Sequence, residues 1–202
     1  MKTTSLYRTG IREANRISKE KSKMTEIGSM KYSLWGPEKS EQSLVIKFGR
    51  VCETMVKEQI QDTEGFLMLP SGVQLLAGMK KKKDVDLLFL DIKRKVIYYR
   101  ELKANIELDT EKLPATSDKV KLLSKYLKKT YPGCTLDFGI LCLPVFREQN
   151  LTQNKLKSKI RQFNNSGVKV TFADDIFQTL SLNIGEQEYY NFWREMGKIL
   201  RS

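Results

Sequence analysis

Residues 84–103 read Asp84-Val-Asp-Leu-Leu-Phe-Leu-Asp-Ile-Lys-Arg-Lys-Val-Ile-Tyr-Tyr-Arg-Glu-Leu-Lys103. Two apolar runs flank a charged turn, which is the pattern of a β-hairpin. A turn centred on Lys93-Arg94 can pair Ile92 with Lys95 or Asp91 with Val96. Both choices give one register, because partner numbers keep the same sum. That register sets Asp86 opposite Glu101, with Cβ atoms roughly 4.5–5.5 Å apart. It also sets Asp84 opposite Lys103. Alternation along a strand then puts Asp84, Asp86, Glu101 and Lys103 on one face.

Facing carboxylates repel each other. In a water-poor sheet one of them holds a proton, or a cation lies between them. A divalent metal with oxygen ligands suits the arrangement. A lysine beside it can orient a water or neutralise charge growing on a phosphate. A plainer reading uses the same residues. Asp84–Lys103 is then an ordinary cross-strand ion pair, and Asp86 and Glu101 end at a wet strand terminus.

Composition narrows the chemistry. The 202 residues suffice for one sizeable core. Lys and Arg number 36 against 24 Asp and Glu, a formal charge of +12. Such an excess favours a polyanionic partner, usually nucleic acid. The chain contains no histidine, so Ser-His-Asp triads, Cys–His pairs, HNH-type sites and His-ligated zinc are excluded. It has neither a CxxC pair nor a Gly-rich phosphate loop, so no nucleotide cofactor is expected. No apolar run reaches the roughly 18 residues of a membrane span, and the N-terminus lacks a signal-peptide core. Cys52, Cys134 and Cys142 are odd in number and sit among apolar residues. They read as buried free thiols in a reducing cytoplasm, which is the expected location.

Along the chain, residues 1–39 form a basic arm with a short helix near residues 10–23, and residues 40–202 form one domain. Ser40 caps a helix in which Val45, Phe48, Cys52, Met55, Val56 and Ile60 recur at three- and four-residue steps. Residues 62–80 read as loop with a short strand over 65–69. After the hairpin, Ser117 or Asp118 caps a helix through Lys129. Residues 136–143 form an apolar central strand, residues 150–164 a basic helix and residues 167–172 a further strand. Asp174 or Asp175 opens a helix through Leu180. Glu186–Leu200 is an amphipathic helix carrying Tyr189, Phe192 and Trp193. Its aromatics suit a dimer interface or, more commonly, a core. This order of elements predicts an α/β fold, a mixed sheet with helices on both faces.

An acidic residue opening an apolar strand, a short turn and a second apolar strand ending in Glu101-Leu-Lys103 resemble the PD-(D/E)xK nuclease site. Asp86 matches the first acidic position, and Glu101 and Lys103 match the ExK pair. Val85 stands where the family has proline, which leaves Asp84 as a rival. The hairpin register favours Asp86. Glu53, on the preceding helix, matches a glutamate that members of this family often carry there. It reads either as a further metal contact or as a surface-edge residue. The segment ELKANIELDTEKLPATSDKV, residues 101–120, resembles type II restriction endonucleases in particular.

The resemblance implies a restriction-endonuclease-like mixed central β-sheet flanked by α-helices. It implies Mg²⁺-dependent hydrolysis of double-stranded DNA, with Mn²⁺ able to substitute. Asp86, Glu101 and the Leu102 carbonyl would hold the metal, with Glu53 as the further contact. Lys103 would position the attacking water. Lys81, Lys82 and Lys83 would track phosphates beside the cut. Asn105, Thr110, Lys112, Thr116 and Lys119 would contact DNA from the segment after the site. Lys155, Lys157, Lys159 and Arg161 suggest another phosphate-facing strip. A symmetric target would need a homodimer. Two alternatives remain: a structure-specific repair or recombination nuclease of the same fold, and a nucleic-acid-binding module without catalysis.

Overall fold

The computed structural model describes residues 4–19, 41–103, 112–151 and 154–201. It divides into two compact units, Met1–Glu58 with Glu186–Ser202, and Gln59–Gly185. The units do not divide at residue 39, where the basic arm was expected to end. Ser40 and the loop expected over Gly28–Pro37 lie outside the described residues.

The first unit contains α1 (Ser5–Ser18), most of α2 (Glu41–Gln61) and the C-terminal helix, here α6 (Glu186–Arg201). Tyr7 stacks on Phe192 with ring centroids 4.4 Å apart. Phe48 meets Trp193 at 5.0 Å. Tyr189 and Phe192 are buried, so these aromatics pack a core. Glu58 ties α1 to α2 by accepting from Thr9 Oγ1 at 2.7 Å and pairing with Arg12. Cys52, Met55 and Val56 form the buried stripe that their spacing predicts, and Val51 is buried beside them.

The second unit is built on a five-stranded sheet. Its strands are β1 (Phe66–Met68), β4 (Leu87–Asp91), β5 (Val96–Lys103), β6 (Thr135–Cys142) and β7 (Lys169–Phe172), in the spatial order β1-β4-β5-β6-β7. β1, β4 and β5 pair antiparallel, whereas β5, β6 and β7 pair parallel. The sheet is therefore mixed. Parallel neighbours need long crossovers, and helices supply them. α3 (Lys112–Thr130) joins β5 to β6, and α4 (Asn154–Asn165) precedes β7. α5 (Ala173–Thr179) follows β7, where Asp175 Oδ2 accepts from the Phe172 amide at 2.7 Å. α3 begins at Lys112, earlier than the Ser117 cap expected, because Pro114 is tolerated in a first helical turn.

The β4–β5 register runs from Leu87 opposite Arg100 to Asp91 opposite Val96, as read from the sequence. Asp91 Oδ1 accepts from the Arg94 amide at 2.9 Å, and Lys95 takes a φ of 52° to close the loop. The two sheet faces differ in character. On one face Leu88, Ile97, Tyr99, Ile140 and Cys142 pack with Val120, Leu123 and Leu127 of α3 and Ile160 and Phe163 of α4. On the other, Phe89 stacks on Tyr98 at 4.8 Å, and buried Arg100 pairs with Asp137 at 2.8 Å. Ile176 and Thr179 of α5 stand beside Tyr98 and Arg100 there.

Two expectations need correction. The first hairpin strand is broken, and β3 (Lys83–Val85) pairs with β2 (Gly72–Gln74) in a separate ribbon. Asp84 therefore lies opposite Val73, not Lys103. Of the three cysteines, only Cys52 and Cys142 are buried, while Cys134 is half-buried. Burial pushes the Cys142 thiol up to about 12. Among the described residues, no helix is long and apolar enough to cross a membrane.

Gly139 lies opposite Lys169 in the parallel pair β6–β7. A Cβ placed there would meet the Lys169 carbonyl, which is backbone and cannot turn aside. Gly139→Ala is expected to destabilise the protein by about 1–3 kcal/mol, read as a lower denaturation midpoint at unchanged m-value.

Candidate active site

The antiparallel ladder stops at Leu87 opposite Arg100, one step short of Asp86 and Glu101. Asp86 leaves the strand, and its Oδ2 accepts the Leu102 amide hydrogen at 3.0 Å. The side chain thus takes over a pairing that backbone would otherwise make. Glu101 sits on the central strand and is 3% exposed. Its Oε1 accepts from Lys103 Nζ at 2.9 Å. Tyr99, two residues earlier on the same face, makes a longer contact from its hydroxyl to Oε2 at 3.4 Å.

The fourth charge comes from α3. Lys119 Nζ lies 2.6 Å from Glu101 Oε2 and 3.4 Å from Asp86 Oδ1. Val120, Leu123 and Leu127 bury one stripe of that helix. Lys119 stands four residues before Leu123, at the border of the stripe, so its stem follows the core and its ammonium reaches the carboxylates. The cluster holds Asp86 and Glu101 against Lys103 and Lys119 and is formally neutral.

Neutral in sum, the cluster is not relaxed. Burial, and after it the charge of Glu101, lift the Asp86 carboxyl from 3.8 to about 6, against the pull of Lys119 and the Leu102 amide. Burial works against the Lys119 ammonium, yet the hydrogen bond to Glu101 and the two carboxylate charges raise it above the usual lysine value. For Asp86 the folded chain binds the proton more tightly than the unfolded chain. Its contribution to stability is therefore complete below 3.8 and is lost as pH rises through about 6. Urea melts in EDTA should show this decline across that window, and Asp86→Asn should remove it.

The residues read from the sequence fall into groups. Asp86, Glu101 and Lys103 come together. Lys119, expected to face DNA, is turned onto the carboxylates instead. Glu53 lies in the other unit, and its carboxylate pairs with Lys57 one helical turn on. Lys81, Lys82 and Lys83 are exposed and lead directly into Asp86. Thr116 is half-buried, one turn of α3 before Lys119. Lys157 and Arg161 are exposed on α4, one turn apart. Asn105, Thr110 and the side chains of Lys112 and Lys155 lie outside the described residues.

A hard divalent cation would find its oxygen ligands in Asp86 and Glu101. One ammonium already touches oxygens of both Asp86 and Glu101, so a single small cation can reach both. Mg²⁺ commonly uses one or two carboxylates and keeps several waters. The described residues contain no group of three or more Asp, Glu, Cys or His side chains able to hold a metal. The protein would therefore offer two carboxylates and a backbone carbonyl, that of Leu102.

Sequence reasoning missed Lys119 as part of this cluster. The signal was present, because Lys119, Leu123 and Leu127 recur at four-residue steps on one helix face. No family model matches the chain, and no curated protein or solved structure matches it either.

Proposed function

We propose that the chain is a Mg²⁺-dependent endodeoxyribonuclease acting on double-stranded DNA, of the type II restriction kind. The observation that carries this reading is the convergence of Asp86, Glu101 and Lys103 where the β4–β5 ladder ends. Asp86 and Glu101, with the Leu102 carbonyl, would hold Mg²⁺ or Mn²⁺. Bound there, the ion supplies Lewis-acid polarisation of a phosphate and lowers the pKa of a water. Lys103 Nζ, tethered to Glu101, would orient that water and offset charge gathering on the phosphate. Lys81, Lys82 and Lys83 would neutralise neighbouring phosphates, making binding salt-dependent. A homodimer acting in the cytoplasm would suit a two-fold symmetric target.

A second reading has its own support. Lys103 and Lys119 already balance both carboxylates, as a non-catalytic nucleic-acid-binding module would require. Long duplex DNA incubated with the protein in Mg²⁺ or EDTA, beside Asp86→Ala, separates the readings. Discrete bands that need Mg²⁺ and vanish in the variant are expected. A metal-dependent smear would indicate a nonspecific or structure-selective nuclease. Absence of cutting, with equal salt-sensitive binding by both proteins, would leave the binding module.

A further inference from the structure

Lys119 is the one described side chain whose ammonium touches both Asp86 and Glu101. Lys103, by contrast, contacts Glu101. A cation shared between two carboxylates is what a divalent ion would be at this position. The two cannot coexist there, since an ammonium 2.6 Å from Glu101 Oε2 fills the volume of the ion and repels it. The Lys119 side chain is 26% exposed, so its long stem has a way out toward solvent.

We propose that Lys119 is a built-in competitor for the divalent cation. Its ammonium occupies the cation position in the metal-free protein and is released when the cation binds. The inference rests on the metal-site reading above and goes beyond it. Three consequences follow from the geometry. Metal binding by the protein alone is weak, because each ion must displace an internal one. The metal-free pocket is spared the full repulsion of two adjacent carboxylates. The displaced ammonium, on a stem anchored beside the site, then becomes an added phosphate contact present only in the loaded state.

The test is Mn²⁺ binding followed by titration calorimetry, without DNA, on wild type, Lys119→Gln, Lys119→Arg and Asp86→Asn. Lys119→Gln is expected to bind Mn²⁺ at least about tenfold more tightly than wild type, within the ordinary range of coupling between sites. Its melting temperature in EDTA falls, and Mn²⁺ raises it by more than in wild type. Lys119→Arg keeps the charge and guards against a folding artefact; its affinity stays at or below wild type. Duplex binding gives a second readout. In EDTA, Lys119→Gln and wild type bind alike. In Ca²⁺ the salt slope of the variant is smaller by about one phosphate contact.

Unchanged or weaker Mn²⁺ binding by Lys119→Gln, with Asp86→Asn abolishing it in the parent, overturns the competitor and leaves the metal site standing. Tighter binding by Lys119→Arg overturns it equally. Failure of every protein to bind Mn²⁺ in an Asp86-dependent way removes the metal site, and the competitor with it.

Discussion

Asp86→Asn is expected to slow DNA cleavage by roughly 10²–10³-fold while making the metal-free protein more stable. The two effects share one cause. Burial and the neighbouring Glu101 disfavour the charged form of Asp86, whose carboxyl sits at about 6. Asparagine keeps an oxygen to accept the Leu102 amide, which Asp86 holds at 3.0 Å. It removes the charge that the fold resists. The gain should be about 1–3 kcal/mol at neutral pH, read from urea melts in EDTA. Without the charge, the proposed divalent cation would lose one of its two carboxylates, and cleavage would fall. A variant less stable than its parent would show that Lys119 needs the Asp86 charge more than burial penalises it.

Glu101→Gln should lower both quantities. Glu101 is almost fully buried and receives Lys103 at 2.9 Å and Lys119 at 2.6 Å. Removing its charge leaves Lys103 without this partner and Lys119 with only the longer contact to Asp86. Breaking a buried pair from one side typically costs about 3–5 kcal/mol. Both ammonium stems reach solvent here, so about 2–3 kcal/mol is expected. Cleavage should be lost as fully as in Asp86→Asn. The contrast in stability between the two carboxylate-to-amide changes, opposite in sign at adjacent positions, is the sharpest test of the charge balance described above. Equal destabilisation by both would refute it.

The hairpin register was legible because it depends only on where the turn lies and on a constant sum of partner numbers. Its extent was not. Nothing in alternation reveals that Asp86 will spend its side chain on the Leu102 amide and end the ladder there. Asp84, on the far side of that break, joined a ribbon with β2. Strands of three residues such as β2 carry little periodic signal, and its sequence reads as loop. The helix after the site was legible, but its start is at Lys112, before the Ser117 or Asp118 cap that its sequence offers. Asp86, Glu101 and Lys103 were readable as a group because they share one hairpin. Lys119 joins them from a separate helix, and only tertiary packing decides whether its ammonium turns inward.

The hydrogen bond from the Leu102 amide to Asp86 bears on how this chain can change over generations. Position 86 asks its occupant for a short side chain with a carbonyl-like oxygen, whatever the chemistry beside it. Aspartate and asparagine both meet that demand, and a single nucleotide separates their codons. A lineage could therefore remove the carboxylate charge in one step while the hairpin, the sheet and the exposed lysines ahead of it persist. On the nuclease proposal, a chain that binds DNA without cutting it would be a near neighbour of this one in sequence space.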